Sequence, residues 1–473
     1  MDVELKLFVL PNPIFGNLVA SGELLVKLHK EEKDNQATCT SSFCLKFENP
    51  IFSFLKLFTK GCGAPKEEEE PEKLENDNAQ ELYPRSIPAI CSVDEAPLDA
   101  HPSFDVSSTS LNTDAPFAQL IGVDSDVEKD QEATFQAWIE EITHGLQLHA
   151  PELSEDGVNG TYFLKNPEGN TIGVFKPLDE QGDHENNPKK GKETVSSDDD
   201  SQEPVDMSRH GISSSDTVYR EVAAFLLDRK GFFGVPKTSL IVLRHPELRD
   251  RLADVTSPMV DLSKLASNIK LGSLQEYIEN DGSSADFSPS LFPVNEVHKI
   301  GILDMMLFNT DRHSGNILLK KQNGVYKLIP IDHGFSLPES LDGAWFDWLT
   351  WPQAKKPFDE DTKNFIEAIN IEEETAMLKK CLGIEDKFLR TMKISTTWLK
   401  KAASRGLNLF QIADVVCRQD MSEPSELEVM CQQALKECGV GAETKLSSLS
   451  QEEENAFFTA LWNIMDDKIT SLK

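Results

Sequence analysis

The stretch NTDRHSGN, residues 309–316, is the most informative part of this sequence. Residues 294–308 before it are densely apolar and predict a helix. After it in the sequence, the dipeptide Asn323-Gly324 between two apolar runs predicts a tight β-hairpin. The second strand of this hairpin, residues 325–331, runs directly into Asp332-His333-Gly334. Because one hairpin joins the polar stretch to this acidic turn, we expect their side chains to face a common cleft.

The residue types in these two segments suit phosphoryl transfer. That reaction needs metal ions on the phosphates, a positioned acceptor hydroxyl and stabilisation of charge, with few covalent participants. Asp311 can accept or orient the hydroxyl proton, while Asn316 and Asp332 offer the oxygen ligands that Mg²⁺ prefers. Taken alone, Asp-Arg-His-x-x-Asn is also compatible with an ordinary polar loop. The Asp-His-Gly that follows the hairpin makes this alternative the weaker one.

A lysine at the end of a predicted strand supplies a second element. Residues 161–165 and 171–176 are predicted strands, joined by the turn chemistry of residues 166–170. Lys176 ends the second strand, where a lysine can pair with nucleotide phosphates if a helix glutamate holds it. Glu221, on the next predicted helix, is the natural partner. Either residue alone is more simply a surface charge, but their order before the later motifs favours the pair.

Two glycines before this hairpin indicate a loop that can approach phosphates. Glycine lets the backbone come close to an anion and aim its N–H groups at it. The signal is weak by itself, because an ordinary glycine turn has the same composition and no Gly-Lys-Ser/Thr follows as in a Walker loop. The loop consists of Gly157, Val158, Asn159, Gly160, Thr161, Tyr162 and Phe163.

The order of predicted elements indicates a two-lobed α+β layout. The chain has 473 residues, which is too long for one compact core, so two or three units are expected. Strands come first, with one helix that Ser215 or Asp216 can cap. Helical patterns dominate from residue 359 onward. We therefore expect a strand-rich lobe, a mostly helical lobe and a cleft where they meet.

Composition divides the chain into four parts. Residues 1–60 mix short apolar runs with polar breaks, and no fold is assigned to them. Residues 61–130 are rich in Glu, Pro, Asp and Ser, which predicts an acidic disordered linker. Residues 131–430 are predicted to form the catalytic domain, with a polar insert at 179–212. Residues 431–473 are predicted to be a helical tail.

Charge and cysteine content narrow the classes of partner and compartment. The net charge of -33 repels phosphate backbones, so no nucleic acid partner is expected, and any membrane contact must be a local patch. The 8 cysteines form no CxxC pair, which favours reduced thiols. No signal peptide and no long apolar run is recognised. We therefore expect a cytoplasmic protein, with a peripheral membrane or nuclear location as alternatives.

The motif Asp-Arg-His-x-x-Asn resembles that of the phosphatidylinositol 3-/4-kinase superfamily. Four phrases resemble the plant gamma class of the type II phosphatidylinositol 4-kinase family: GTYFL, GVFKP, YREVAAFLLD and NTDRHSGNIL. The resemblance covers roughly residues 132–430. It implies a kinase-like fold with a strand-rich N-lobe, a mostly helical C-lobe and a long, partly disordered N-terminal region. It also implies phosphorylation of phosphatidylinositol at the 4-hydroxyl.

The same resemblance implies the roles of the site residues. Lys176, supported by Glu221, would contact ATP, and the loop at 157–163 would cover its phosphates. Asp332 would bind the metal together with Asn316, which makes Mg-ATP the implied cofactor. The implied adenine-binding hinge consists of Gln275, Glu276, Tyr277 and Ile278. The implied catalytic loop contributes Asp311, Arg312, His313 and Asn316.

Two departures from the family pattern matter. Animal type II enzymes carry a cysteine-rich palmitoylation motif, whereas residues 179–212 contain no cysteine, so that anchor is not expected here. Asp-His-Gly at 332–334 replaces the Asp-Phe-Gly of protein kinases. This replacement argues against an ordinary protein kinase fold, but not against phosphorylation of proteins.

The acceptor stays open between three hypotheses. Several aromatic residues and two lysines follow Asp332 in the sequence. Tryptophan and lysine suit a membrane interface, but aromatic residues also pack an activation segment on its lobe. The first hypothesis is a lipid kinase with peripheral membrane contact. The second is a Ser/Thr protein kinase that uses the same ATP site, and the third is a non-catalytic ATP-binding interaction module. The residues concerned are Trp345, Phe346, Trp348, Trp351, Lys355 and Lys356.

Overall fold

The chain divides into two compact units, residues 1–10 with 19–113 and residues 11–18 with 114–473. The computed structural model describes twelve ranges: 2–8, 21–30, 39–48, 117–120, 129–182, 184–190, 211–213, 216–228, 231–248, 269–420, 422–441 and 444–472.

The first unit contains a three-stranded antiparallel sheet. Its strands are β1 (Asp2–Phe8), β2 (Ser21–Lys30) and β3 (Cys39–Glu48), in the order β1-β2-β3. β2 pairs with β1 on one side and along its full length with β3 on the other. The sequence predicts no fold for this region, so the sheet is known from the structure alone. Most of the linker predicted at 61–130 lies outside the described residues.

The second unit begins with a six-stranded antiparallel sheet in the order β4-β8-β9-β7-β6-β5. The predicted hairpin at 161–176 is present as β6 and β7, with a bulge at Leu164/Lys165. The strands are β4 (Phe117–Leu120), β5 (Glu152–Leu153), β6 (Tyr162–Lys165), β7 (Thr171–Pro177), β8 (Thr238–Arg244) and β9 (Ile269–Glu276).

Strand β4 corrects the predicted linker at its carboxyl end. Phe117–Leu120 lies within residues 61–130, yet it pairs with β8 in the register Phe117↔Arg244. The N–H of Ala118 also donates to Thr143 Oγ1 (3.2 Å) on helix α1 (Lys129–Leu146). Pairing with a sheet edge satisfies backbone groups that composition alone would leave to solvent. The local composition could not reveal this distant partner.

A small apolar core joins α1 to the sheet. The inward face of the helix carries Trp138, Ile139 and Ile142, which are buried at helical spacing. They pack with Leu164 on β6 and Phe175 on β7. Helix α2 (Thr217–Leu227) packs against β8 and β9 and belongs to the larger core of the helical lobe. The strand that carries Lys176 therefore contributes to the core beneath α1, and it pairs with β9, on which α2 packs.

The helical lobe surrounds helix α3, most of which is buried. The predicted hairpin is present as β11 and β12, and Asn323 (φ 51°) and Gly324 (φ 84°) both have the positive φ that a tight hairpin turn requires. The elements are β10 (Gly282–Ser283), α3 (Val294–Leu307), β11 (Ile317–Gln322), β12 (Val325–Pro330), α4 (Glu360–Ala368), α5 (Ile371–Leu382), α6 (Asp386–Ser404), α7 (Leu409–Asp414), α8 (Glu426–Glu437) and α9 (Gln451–Ser471).

The predicted boundary between catalytic domain and tail, at 430/431, falls inside α8. Helix α9 packs on α8 and α6, and its Phe457, Leu461 and Met465 are fully buried in the same core. The helical tail is thus part of the lobe, because its apolar stripe is needed to close that core. Across the described ranges, no helix combines the length and apolar character needed to cross a membrane.

Candidate active site

The side chain of Lys176 links the two lobes. It is the last residue but one of β7, and its ammonium donates to Glu221 Oε1 on α2 and to Asp332 Oδ1 (2.9 Å) after β12. Glu221 Oε2 in turn accepts the N–H of His333 (3.0 Å). The structure therefore brings the predicted lysine, its helix glutamate and the acidic turn into direct contact.

Charge interactions keep Lys176 and Asp332 ionised. Burial disfavours the ammonium of Lys176, but the carboxylates of Asp332 and Glu221 outweigh it and raise the pKa of the lysine. Partial burial on its own would raise the pKa of Asp332, but the ammonium of Lys176 lowers that pKa to about 2. The side chain of Asp332 is 44% exposed, so its carboxylate is also open to a ligand. Its backbone is left-handed (φ 55°), an uncommon conformation for a residue other than glycine.

A glycine that the sequence did not single out sets the position of Lys176. Gly272 on β9 lies opposite Pro177 in the pairing of β7 with β9. A Cβ on Gly272 would lie 2.3 Å from the carbonyl oxygen of Lys176 and 2.6 Å from the ring of Phe175. Only glycine permits this approach, and the partner strand could not be known from local sequence.

Helix α2 also holds the segment that follows Asp332. Arg220 is buried, donates through Nε to the carbonyl of Ser336 (2.6 Å) and lies over the ring of Phe388 (4.7 Å). Asp216 occupies the N-cap position as predicted, but it accepts no backbone N–H there. Its carboxylate pairs instead with Arg220 Nη1 (3.5 Å), so the capping role predicted for it is wrong. The other predicted cap, Ser215, lies outside the described residues.

The predicted catalytic loop holds Asp311 by its backbone. Its N–H donates to Asn309 Oδ1 (2.9 Å), and its carbonyl accepts from Asn316 Nδ2 (3.0 Å). Within the described part of the chain, the carboxylate of Asp311 has no hydrogen-bond partner. Burial, and then the nearby charge of Asp332, raise the pKa of this carboxyl group. Asp311 is therefore positioned through its main chain while its oxygens stay available to accept a proton.

Arg312 is fully buried beneath this loop rather than exposed in the cleft. Its Nε donates to both oxygens of Asp304 (2.9 and 3.1 Å), and Nη1 donates to the carbonyls of Asn316 (2.6 Å) and Ile331 (2.8 Å). The resemblance placed Arg312 among the catalytic residues. Its burial excludes contact with an acceptor, so it is a positioning residue that joins the catalytic loop to the end of β12.

The histidine of the acidic turn completes this buried network. An arginine has no acceptor, so Arg312 Nη2 donates to Nδ1 of His333 (3.1 Å), and Nε2 then carries the proton shared with the carbonyl of Pro330 (3.3 Å). Burial, and then the charge of Arg312, hold the pKa of His333 well below its usual value. A neutral histidine suits this contact because an imidazolium would oppose the guanidinium. By contrast, His313 is exposed, and its Nδ1 accepts the N–H of Gly315 (3.0 Å).

Asp304 is the partner that sequence reasoning missed. It lies on α3, is fully buried, and also accepts from Trp348 Nε1 (2.8 Å) and Asn309 Nδ2 (3.1 Å). A signal was available, because Asp304 is an isolated carboxylate within an otherwise apolar run. Acidic residues are almost never fully buried unless they are paired, so this position pointed to a buried cationic partner.

The glycine loop lies against the segment after β7. Gly157 (φ 73°) has no neighbour where a Cβ would lie, but its positive φ favours glycine. At Gly160 a Cβ would lie 2.4 Å from Glu180 Oε2, so this glycine permits a close approach. The hydroxyl of Tyr162 donates to the same oxygen (2.7 Å), which directs this predicted loop residue into the protein.

The predicted hinge begins within β9 and continues into the chain that follows. Gln275 is on β9 and donates to Thr238 Oγ1 (3.2 Å) on the neighbouring strand. The ring of Tyr277 lies edge-on to Phe163 of the glycine loop, with 6.0 Å between centroids. The remaining hinge residues are Glu276, at the end of β9, and Ile278, after Tyr277.

Two oxygen donors of the site suit a hard divalent cation. They are the carboxylate of Asp332 and the amide oxygen of Asn316, whose nitrogen is already used by Asp311. Mg²⁺ is commonly bound by one or two protein ligands together with phosphates and water. Among the described residues there is no cluster of three or more His, Cys, Asp or Glu side chains that could hold a metal. The donor set therefore fits a cation that arrives with a phosphate ligand.

The aromatic residues after the acidic turn serve mainly as packing. Phe346 and Trp348 are fully buried and stacked (4.9 Å), and Trp351 packs on Phe292 (4.8 Å). Trp345 differs, because 53% of it is exposed. The packing interpretation is thus confirmed for Phe346, Trp348 and Trp351, while membrane contact through Trp345 stays a prediction. Of the two lysines that follow, Lys355 lies over the ring of Phe410 (4.5 Å).

Comparison with known proteins agrees with this geometry. The model of the family described as "Phosphatidylinositol 3- and 4-kinase" matches residues 157–412. Phosphatidylinositol 4-kinase gamma 4 of Arabidopsis thaliana is 37% identical over 348 residues, which cover 69% of this chain and 55% of the relative. Phosphatidylinositol 4-kinase gamma 8 of the same plant is 32% identical over 386 residues, which cover 78% and 66%. Phosphatidylinositol 4-kinase gamma 4 of Oryza sativa subsp. japonica is 36% identical over 318 residues, which cover 64% and 52%.

The matches extend over the glycine loop, Lys176, the catalytic loop and the acidic turn, so they include both lobes. The chain spans 52% to 66% of the length of these curated relatives. The two-lobed kinase-like fold and the resemblance to plant gamma members are confirmed. Together, the matched residues 157–412 and the geometry of the site that they contain show that the chain belongs to the phosphatidylinositol 3- and 4-kinase family.

Proposed function

We propose that this chain is an ATP-dependent phosphotransferase that phosphorylates phosphatidylinositol at its 4-hydroxyl. The observation that carries the proposal is the contact of Lys176 with both Glu221 and Asp332 across the two lobes. An active site of the protein-kinase type needs this lysine–glutamate pair and its metal-binding aspartate in place together. The names of the relatives, each a phosphatidylinositol 4-kinase gamma, support the lipid acceptor and the 4-position.

In the proposed reaction each cleft residue has one role. Lys176 binds phosphate oxygens of ATP, and Asp332 with Asn316 would hold Mg²⁺. When bound, the metal supplies positive charge across the phosphates. Asp311 accepts the proton of the acceptor hydroxyl, whose oxygen bonds to the γ-phosphorus while the bond to the β–γ bridging oxygen breaks and ADP leaves. The raised pKa of Asp311 makes it a better proton acceptor than an ordinary aspartate.

The remaining predicted residues surround the nucleotide in this proposal. The loop at 157–163 covers the phosphates, and residues 275–278 contact the adenine. Arg312 and the exposed His313 belong to the catalytic loop, with Arg312 acting through its neighbours. The edge-on contact of Tyr277 with Phe163 supports an aromatic boundary where the loop and the hinge meet.

We propose a cytoplasmic enzyme that reaches its lipid through peripheral membrane contact. With a net charge of -33, the chain needs a local patch to approach an anionic surface. Trp345 supports such a patch, because it is exposed and follows the acidic turn, and tryptophan favours the membrane–water interface.

The test is transfer of labelled γ-phosphate from Mg-ATP, with phosphatidylinositol vesicles and a generic protein acceptor assayed in parallel. We expect label in the lipid at the 4-position, and its loss in Asp332→Asn. The matched control, Asp466→Asn, removes the same charge from α9, where Asp466 pairs with Lys401 (2.7 Å), and should keep activity. Label only in protein would replace the proposal with a protein kinase, and no label in either acceptor would reject a phosphotransferase.

A further inference from the structure

The first residues of the predicted polar insert fold against the glycine loop. We call residues 178–182 and 184–190 the support segment, which follows β7 and begins with the short 3-10 turn Leu178–Glu180. The carbonyl of Glu180 accepts the N–H of Gly160 (2.8 Å). The N–H of Gly182 donates to Asn159 Oδ1 (2.6 Å). The contact between the two segments is therefore made of specific hydrogen bonds.

Asn187 lies at the centre of this contact. Only 2% of it is exposed, and its Nδ2 donates to the carbonyls of Val158 (2.9 Å) and Gly182 (2.6 Å). Its Oδ1 accepts the N–H of Lys189 (2.9 Å). The Lys189 ammonium donates in turn to the carbonyl of Gly157 (2.9 Å). Two successive carbonyls of the glycine loop are thus held by the support segment.

The direction of these carbonyls determines the direction of the adjacent N–H groups. The chain has no cis peptide bonds, and in a trans peptide the C=O and the following N–H point opposite ways. The N–H groups of Val158 and Asn159 therefore point away from the support segment. Neither of them donates to any group within the described residues. Two adjacent free N–H groups that point the same way can donate to one anion.

The support segment is itself fixed to the sheet. Lys270 on β9 is almost fully buried, and its ammonium lies 2.5 Å from Asp179 Oδ2 and 3.4 Å from Glu180 Oε1. An ion pair with this little exposure is costly to break, because a charge would remain buried without its partner. The glycine loop therefore rests on a base that is attached to the same strand as Gly272.

We propose that the support segment positions the glycine loop to bind the phosphates of ATP, with Asn187 as its central positioning residue. The inference rests on the proposed function in taking Mg-ATP as the ligand. Asn187 touches no nucleotide in this scheme. It acts by holding the carbonyls of the loop so that the opposite N–H groups are ready before the ligand arrives, which lowers the ordering cost of binding.

The experiment compares the dissociation constant of Mg-ATP, measured by calorimetry, for the full chain and two variants. Asn187→Ala removes the hydrogen bonds to the loop, and we expect roughly tenfold weaker binding. Lys189→Met, at a more exposed position, keeps the stem and loses the ammonium, and we expect weaker binding in the same direction. The matched controls are Asn370→Ala, which removes the N-cap of α5, and Lys363→Met, which breaks an exposed pair with Glu360. Both controls should bind as the unmodified chain does.

A second readout separates positioning from general stability. Binding of Mg-ATP should slow hydrogen exchange at the N–H groups of Val158 and Asn159 in the unmodified chain, and less so in Asn187→Ala. Equal dissociation constants for the chain and both variants would overturn the inference, even if phosphate transfer is found. Weaker binding by the variants without any transfer would support it and reject only the proposed function. Failure of the unmodified chain to bind Mg-ATP would overturn both.

Discussion

Arg312 and Asp304 show how single buried residues set the geometry of a cleft that they do not enter. The pair joins α3 to the catalytic loop, and the remaining donors of Arg312 hold the carbonyls of Asn316 and Ile331. The two proposed metal ligands, Asn316 and Asp332, are therefore brought together by a residue behind them. This arrangement explains why an arginine is needed, since a lysine could not donate in so many fixed directions.

Asp304→Asn tests the contribution of this pair to stability. The amide keeps the shape of the carboxylate but leaves the guanidinium of Arg312 buried without a counter-charge. We expect the free energy of unfolding to fall by roughly 3–5 kcal/mol, measured by urea denaturation. Asp386→Asn is the control, because it breaks an exposed pair with Lys379 (2.7 Å) and should cost about 1 kcal/mol or less. Equal losses in the two variants would mean that the buried pair carries no special weight.

At the scale of secondary-structure elements, the approach of β9 to β7 positions the nucleotide lysine. The Cα of Lys176 pairs with Ser273, and Gly272 next to it leaves room for the carbonyl of Lys176. Helix α2 packs on β8 and β9 and brings Glu221 to the ammonium of Lys176. Two elements that are distant in sequence therefore meet at one side chain.

Gly272→Ala tests this approach. The added methyl would overlap the backbone of Lys176, so β9 or β7 must shift. We expect a loss of roughly 1–3 kcal/mol in the free energy of unfolding, together with weaker binding of Mg-ATP. The measurements are thermal unfolding and calorimetry.

Gly441→Ala is the control for this substitution. The nearest atom to a Cβ at Gly441 is the flexible hydroxyl of Thr444 at 3.3 Å, so little change is expected. A Gly272→Ala protein with unchanged stability and unchanged nucleotide binding would contradict this account of the strand pair.

Local chemistry accounts for the elements that the sequence predicted well. The turn at Asn323-Gly324 and the apolar run at 294–308 are signals contained in a few neighbouring residues, and both elements are present. The support segment could not be predicted in this way. Its polar composition resembles a solvated insert, and only contacts with the loop some thirty residues earlier show that Asn187 is buried.

The residue types of the candidate site could be predicted from the sequence, but which of their side chains are buried could not. Lys176, Glu221 and Asp332 are recognisable because nucleotide chemistry needs them in this order. Arg312 is part of the same kinase motif, yet its side chain is fully buried. The direction of a side chain depends on its tertiary partners, and Asp304 was not among the predicted residues.

At the scale of the whole molecule, the buried cations of this acidic chain lie where carboxylates or carbonyls can pair with them. Arg220, Lys270 and Arg312 are buried and each contacts carboxylates or carbonyls inside a protein whose net charge is -33. The half-buried Lys176 likewise contacts two carboxylates. Buried neutral histidines accompany them. Burial lowers the pKa of His245, His298 and His333, so these rings resist protonation while the chain is folded.

Acid sensitivity follows from these histidines, and His298 isolates the effect. Its ring shares a proton with the carbonyl of Gln353 (3.1 Å) and packs on Phe358 (4.8 Å). Since its pKa is lowered on folding, the unfolded chain binds more protons below pH ~6.5, and stability falls as the pH drops. The contribution amounts to at most about 1.4 kcal/mol per pH unit.

The measurement is urea unfolding of the unmodified chain and His298→Gln at several pH values between 7 and 5. The variant lacks the titrating ring, so the difference in stability between the two proteins should shrink as the pH falls. A difference that stays constant across this range would show that His298 does not titrate on unfolding.

The closure of the helical lobe by α9 has a practical consequence for experiments on isolated fragments. The family match ends at residue 412, whereas the apolar core continues through Phe457 and Met465. A protein expressed only to the family boundary would expose the faces that α8 and α9 cover, and such surfaces promote aggregation. Recombinant fragments, deletion series and truncating alleles should therefore be judged by the folding unit, which extends through Gln451–Ser471.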